Sequence, residues 1–296
     1  NKKVGKIYVR FGWLDFTKAV NVSQLLFYAV ESWARDNDAE YIHGPLGFSS
    51  FDPSGILVEG FNELPTSFAH YNYPYYAEWI ENLGYKKDID WVEYNVKVPK
   101  SIPKNFIKIG ELIKKKYKLH SARIDDKEFF LKYSNQIFQL LNTEYKQFYA
   151  FSELTRKQIE ELKSHFIPLL KLKYVSIILN SEDELVGFGI CIPSLSKALQ
   201  KSKGKLYPFG FLRILNALRK NDTVDALLIA IQKEYRNKGV SAIIFNEIGN
   251  AFIKNGITNV ESTREMESNI RVINLWSKFE HRLHKRTRCY LKKIYV

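Results

Sequence analysis

Apolar positions in this chain recur with two periods, and the switches between them lay out its elements. Five consecutive apolar residues, 227–231, read as a strand buried on both faces. A polar turn follows at 232–239, and then Val240, Ile243, Ile244 and Ile248 recur at helical spacing. Upstream, apolar runs at 174–180 and 185–192 flank Ser181-Glu182-Asp183-Glu184 and predict a hairpin. Two amphipathic helices are expected before it, at 126–142 and 155–165. After the central helix, 259–263 reads as a strand, 269–279 as a helix and 289–295 as a last strand.

The first third repeats this style. Residues 4–11 predict a strand, followed by a helix whose apolar face is Val22, Leu25, Leu26, Ala29, Val30 and Trp33. After residues 41–43 and a Gly- and Pro-rich loop, residues 73–85 predict a helix started by Pro74 and closed by Gly84. A strand is expected at 91–98. Pro99 and Pro103 then precede a Lys-rich helix at 105–117.

A strand, a basic Gly-containing turn and a helix N-terminus form an anion site, because free backbone N–H groups and the helix dipole converge there. Arg236-Asn237-Lys238-Gly239-Val240-Ser241 follows the pattern Arg/Gln-x-x-Gly-x-Gly/Ala. It resembles the pyrophosphate loop of the GNAT acyltransferases. An ordinary turn with a solvated basic face gives the same six residues, but the order of elements over 119–296 also resembles that family. The resemblance implies an α/β (α+β) protein of tandem GNAT-like folds, each with a mixed, mostly antiparallel central sheet flanked by helices. Residues 1–98 would be a partial, degenerate copy, 99–118 a linker helix and 119–296 the acyl-CoA-binding copy. In the first copy, the segment 14–21 lacks the loop and places Asp15 where phosphate would go, so no CoA is expected there. That copy's missing strands are expected upstream.

The same resemblance implies roles. Ile229, Ala230 and Ile231 would align the pantetheine arm, Arg236, Asn237, Lys238, Gly239, Val240 and Ser241 would hold the pyrophosphate, and Asn269 would touch the cofactor arm or cap its helix. The co-substrate would be acetyl-CoA or another acyl-CoA, with no metal. Glu261 and Glu267 are candidate bases for the attacking amine, and surface carboxylates beside Arg264 and Arg271 are the alternative. Where the family carries a Tyr that protonates the leaving thiolate, this chain has Trp276; Ser277 or Tyr290 are conceivable substitutes. Cys191 reads as a core residue, and His281 and His284 read as solvated.

Composition narrows the setting. Two cysteines in 296 residues make no disulfide framework, and no apolar run approaches the length of a membrane span, so a cytoplasmic protein without a membrane partner is expected. The net charge of +13 would suit nucleic acid, yet no zinc spacing, RRM signature or helix-turn-helix accompanies it. Residues 193–221 form a long insertion between two core strands, expected to be partly helical, with Phe209, Phe211, Leu212, Ile214, Leu215 and Leu218 buried. The resulting expectation is an N-acyltransferase acting on a small-molecule or peptide amine. The alternative is a non-catalytic module of the same fold that binds CoA, a metabolite or a protein.

Overall fold

A computed structural model of the chain describes residues 1, 5–124 and 126–294. Its strands are β1 (Tyr8–Arg10), β2 (Tyr41–Gly44), β3 (Ile56–Glu59), β4 (Lys86–Lys97), β5 (His120–Ser121), β6 (Val175–Leu179), β7 (Leu185–Pro193), β8 (Thr223–Ile231), β9 (Asn259–Ser262), β10 (Glu265–Met266) and β11 (His281–Lys293). Its helices are α1 (Val20–Asp36), α2 (Tyr75–Asn82), α3 (Lys104–Tyr117), α4 (Lys127–Tyr145), α5 (Arg156–Phe166), α6 (Ser196–Lys201), α7 (Gly210–Arg219), α8 (Val240–Lys254) and α9 (Ile270–Trp276). The expected α/β class, with a mixed and mostly antiparallel sheet flanked by helices, is what the structure has.

The elements fall into two compact units. One comprises Asn1–Tyr94, Arg264–Lys278 and Arg282–Val296, and the other Asn95–Thr263 and Phe279–His281. The expected linear divisions near 98 and 119 are not the boundaries of these units, because the C-terminal segment packs with the N-terminal one.

In the first unit β1 runs parallel to β2, β2 pairs antiparallel with β11, and β11 lies next to β4. Strand β11 thus joins this sheet between β2 and β4. It begins at His281, earlier than the expected 289, and the expected end at Tyr295 lies outside the described residues, as does the start at Val4. The α1 face also differs from expectation. Ser23, Phe27 and Ala34 are buried, whereas Leu25, Leu26 and Trp33 are exposed. The helix is turned by about one residue, because the Phe27 ring inserts between Phe11 and Tyr85, with centroids 5.3 and 4.9 Å away. These rings join Phe16, Ile42, Tyr76, Ile80 and Tyr290 in one core.

Charge is buried in this unit as well. Lys285 Nζ lies 3.0 Å from Glu93 Oε2, both side chains being 2% exposed, and it also donates to the Leu64 carbonyl at 3.3 Å. His284, expected to be solvated, is buried with Nδ1 3.5 Å from Glu63. His43 on β2 is buried, and burial followed by the Arg10 charge lowers its pKa to about 4. The unfolded chain thus takes up this proton near pH 6.5 and the folded chain only near 4, so stability falls as pH drops through that window. Urea midpoints should decrease between pH 7 and pH 4.5 in the native sequence. A His43→Gln variant, which has nothing to titrate there, should show a shallower decrease; equal slopes would contradict this account.

In the second unit the sheet runs β9-β8-β7-β6-β5, antiparallel except for the parallel β8–β9 pair. The β6–β7 hairpin forms as expected. Asn180 Oδ1 accepts the backbone N–H of Glu182 at 3.0 Å and of Glu184 at 2.8 Å, and Asp183 turns through a φ of 60°. Every residue of β7 is buried, which accounts for its unbroken apolar run. Gly189 on β7 is a steric requirement, since a Cβ there would stand 2.5 Å from the Ile244 side chain of α8. Helix α5 starts at a capping box, with Thr155 and Gln158 bonding each other's backbone N–H groups.

Candidate functional site

Strands β8 and β9 form a fork. Their parallel pairing covers Thr223–Ala226 against Asn259–Ser262 and stops there, while β8 continues to Ile231 paired with β7 alone. Thr263 marks the divergence, its hydroxyl donating to the Ala226 carbonyl at 3.1 Å. From Ala226 through Ile229 the strand is half-buried, whereas Thr223, Val224 and Asp225 are buried. The Ile229 carbonyl accepts the Tyr145 hydroxyl of α4 at 3.1 Å. An extended molecule with amide groups can lie along such a strand as an extra partner.

The chain then leaves β8 through a 3-10 turn at Lys233–Tyr235 and enters α8 at Gly239. Among the described residues no side chain caps α8, and of its first N–H groups that of Ala242 turns back to the Gly239 carbonyl at 2.9 Å. Gly239 has a φ of 84°, in the left-handed region that favours glycine, and a Cβ there would press on the Ile113 side chain of α3 at 3.1 Å. The Ile113 and Ile109 side chains lie where that Cβ would point. Helix α3 lies along α8, tied to it by Lys114 Nζ at 3.0 Å from Glu247, a carboxylate that also accepts the Ser121 and Ser176 hydroxyls.

The expected pyrophosphate residues divide by role. Arg236 is ion-paired with Glu144, a side chain only 9% exposed, and its Nε donates to the Ile231 carbonyl at 3.3 Å. It shapes the loop, and its charge is largely offset. Glu144 also accepts the backbone N–H of Lys233 at 3.0 Å. Lys238 lies in the loop with Nζ 4.9 Å from the Tyr117 ring centroid and 5.2 Å from that of Tyr235. Asn237 is exposed with a φ of 60°, Val240 is buried and Ser241 half-buried. An anion here would meet backbone donors and one lysine. The roles of Glu144, Tyr145 and Tyr117 were missed, because nothing in their local sequence points across the sheet.

Of the two candidate bases, Glu261 lies on β9 opposite Asp225, one residue short of the fork. It is half-buried, and its Oε1 accepts the Asn95 side-chain amide at 2.7 Å. Glu267 belongs to the first unit. Its carboxylate bonds Arg286, and Lys87 at 3.0 Å, and these contacts, Arg286 first, hold its pKa below the usual carboxylate range. A carboxylate so paired is a poor base, and it stands in an ion-pair network with Lys87, Asp90 and Arg286. Asn269 also lies in the first unit and precedes α9 without a side-chain capping bond, against the capping alternative. Trp276 is buried there, its indole N–H donating to Glu265 at 2.8 Å. Cys191 is buried, and burial with the nearby Asp225 pushes its thiol up to about 12, as a core residue requires. Among the described residues, no group of His, Cys, Asp and Glu could hold a metal ion.

The segment 14–18 of the first unit borders a groove of about 980 Å³. Asp15, Phe16, Tyr73, Tyr75, Tyr76 and Trp79 are among its walls. Thr17, Lys18 and Glu78 complete its polar lining beside Asp15.

This fold, a forked sheet above an uncapped helix N-terminus, is that of the GCN5-related N-acetyltransferases. The protein of that name from Sphaerobacter thermophilus superposes with a TM-score of 0.52 at 9% identity, over 94% of this chain and 70% of that one. A GCN5-related glucosamine N-acetyltransferase region of a fungal multi-domain GH3 beta-N-acetylglucosaminidase gives 0.54 at 11% identity, over 93% of this chain and 28% of that one. In sequence, the chain is 24% identical over 305 residues to Protein YghO of Escherichia coli (strain K12), covering 99% of this chain and 76% of the relative. It is also 24% identical over 243 residues to the bacterial ceramide synthase of Caulobacter vibrioides (strain NA1000 / CB15N), covering 78% of this chain and 60% of that protein. No family profile matches the chain.

Proposed function

We propose that this protein is an acyl-CoA-dependent N-acyltransferase whose cofactor site is the β8–β9 fork with the 236–241 loop. The fork carries the reading: β8 loses its β9 partner at Ala226 and runs on toward the uncapped N-terminus of α8. In this reading, pantetheine amides pair with the backbone of Ile229, Ala230 and Ile231. The pyrophosphate sits on the N–H groups of Gly239, Val240 and Ser241, with Asn237 and Lys238 at its edge and Arg236 holding the loop through Glu144.

The amine nitrogen attacks the thioester carbonyl, the C–N bond forms, the C–S bond breaks and CoA leaves as thiolate. The ammonium proton passes to Glu261 directly or through water. Acetyl-CoA is the simplest donor. The acceptor is a small-molecule or peptide amine; ceramide is itself an N-acyl amide, so long-chain amino alcohols belong among the acceptors tried.

A second reading, a binding module without turnover, draws on Trp276, whose N–H is already committed to Glu265, and on Glu267, whose charge is paired. Calorimetry with acetyl-CoA and CoA tests the shared cofactor claim, and no heat at millimolar ligand would sink it. Thiol release that depends on an added amine separates the enzyme from the module.

A further inference from the structure

The insertion between β7 and β8 carries a surface that acyl transfer does not explain. Residues 194–221 contain seven Lys or Arg and no Asp or Glu. Of the apolar side chains expected to be buried there, Phe209, Phe211, Leu212 and Leu215 are exposed and Ile214 and Leu218 half-buried, and Leu206 and Tyr207 before them are exposed as well. Tyr207 is 80% exposed, Phe209 66%, Leu215 57%, Leu212 51%, Leu206 50% and Phe211 40%. Such a cluster of large apolar groups on a folded surface marks a binding face. It is also held in a defined shape. Arg213 donates to the Lys201 carbonyl at 2.7 Å, and the Phe211 N–H donates to the Leu206 carbonyl at 2.8 Å. The Gly210 backbone lies so close to the Lys205 carbonyl that a Cβ would not fit.

We infer that α7 and the loop before it dock on the surface of an anionic lipid bilayer. Leucine and aromatic side chains beside lysines and arginines are what an interfacial helix uses: the apolar face enters the boundary between headgroups and acyl chains, and the cations meet lipid phosphates. All seven cations are exposed, and one, Lys197, is paired with Asp222 at 2.9 Å. A second copy of the chain fits this face poorly, because two such surfaces would bring like charges together. Single-stranded nucleic acid would use the charges and the rings but leave the leucines in water. The expectation of no membrane partner rested on the lack of a spanning segment, and no helix among the described residues is long and apolar enough to cross a membrane. Surface docking needs none. The inference does not depend on the acyl-transfer reading.

The test is co-sedimentation of the full chain with phosphatidylcholine vesicles and with vesicles also containing phosphatidylglycerol, at low and high salt. Binding should require the anionic lipid and weaken with salt. A Phe209→Ser/Leu212→Ser/Leu215→Ser variant and a Lys201→Glu/Lys203→Glu/Lys205→Glu variant should each lose about tenfold or more in partitioning, with urea midpoints unchanged. Absence of wild-type binding to anionic vesicles at low salt overturns the proposal. So does full binding by the serine variant, which would assign the affinity to the general positive charge. A concentration-dependent dimer lost in the serine variant, without vesicle binding, would give the face to self-association. Binding of an oligonucleotide in preference to vesicles would give it to nucleic acid.

Discussion

Replacing Ser241 by Glu should weaken CoA binding by about tenfold or more, or about 1.4 kcal/mol, while leaving the protein as stable as before or slightly more so. The two effects have opposite signs because the same helix end produces both. Ser241 is the second residue after Gly239, which occupies the N-cap position of α8. A carboxylate there meets the positive end of the helix dipole and contributes about 0.3–1 kcal/mol to folding. The same carboxylate stands where the proposed pyrophosphate would lie, and repels it. Calorimetry with CoA and a thermal melt of the same sample read the two effects separately. Ser241→Ala should retain binding, since the backbone N–H is the proposed donor. Unchanged affinity in the Glu variant would remove the pyrophosphate from this helix, whereas lost affinity with a lowered melting temperature would mean damage to the fold.

The largest expected loss of stability comes from Lys285→Met. Lys285 and Glu93 are both almost fully buried and 3.0 Å apart. Removing the cation leaves a carboxylate in the core of the first unit, which costs about 3–5 kcal/mol. That is a large share of the roughly 5–15 kcal/mol that holds a typical domain folded. The paired change Lys285→Met/Glu93→Leu removes both charges and should regain much of the loss. Recovery should stop short of complete, because the half-buried Arg264 guanidinium also feels the Glu93 charge. Urea denaturation of the two single variants and the double variant gives the coupling. A strictly additive result would show that the two charges do not support each other.

The second unit was largely legible in the sequence. The β6–β7 hairpin, β8, α8 and β9 were visible as changes of apolar period, because each buries a whole strand or a clean helical stripe. The loop 236–241 was found by its residue types. What it holds apart from a ligand was not, since Arg236 meets Glu144 from a helix some ninety residues earlier and Gly239 meets Ile113 from another. Contacts of that separation leave no local pattern. Two failures share a different cause. The faces of α1 and α7 were read from periodicity alone, which locates a stripe but does not say whether anything covers it. On α1 a single large ring, Phe27, turned the helix, and on α7 the stripe faces water. Strand β11 was placed too late because its first half, His281–Arg288, is dense in charge, and that charge is matched by carboxylates on distant segments, Glu63, Glu93 and Asp90.

The position of β11 also sets an order of events during synthesis. The first unit takes its opening 94 residues at once and its last segment only from Arg282 onward. A ribosome adding about 5–20 residues per second needs roughly 10–40 s to cover the gap. Throughout that interval the β2 and β4 edges flanking the β11 slot lack their ladder partner, and by its end the second unit has been synthesised and can close. A nascent chain at that stage carries one body able to close and one open edge, and a chain that stops before β11 leaves that edge exposed.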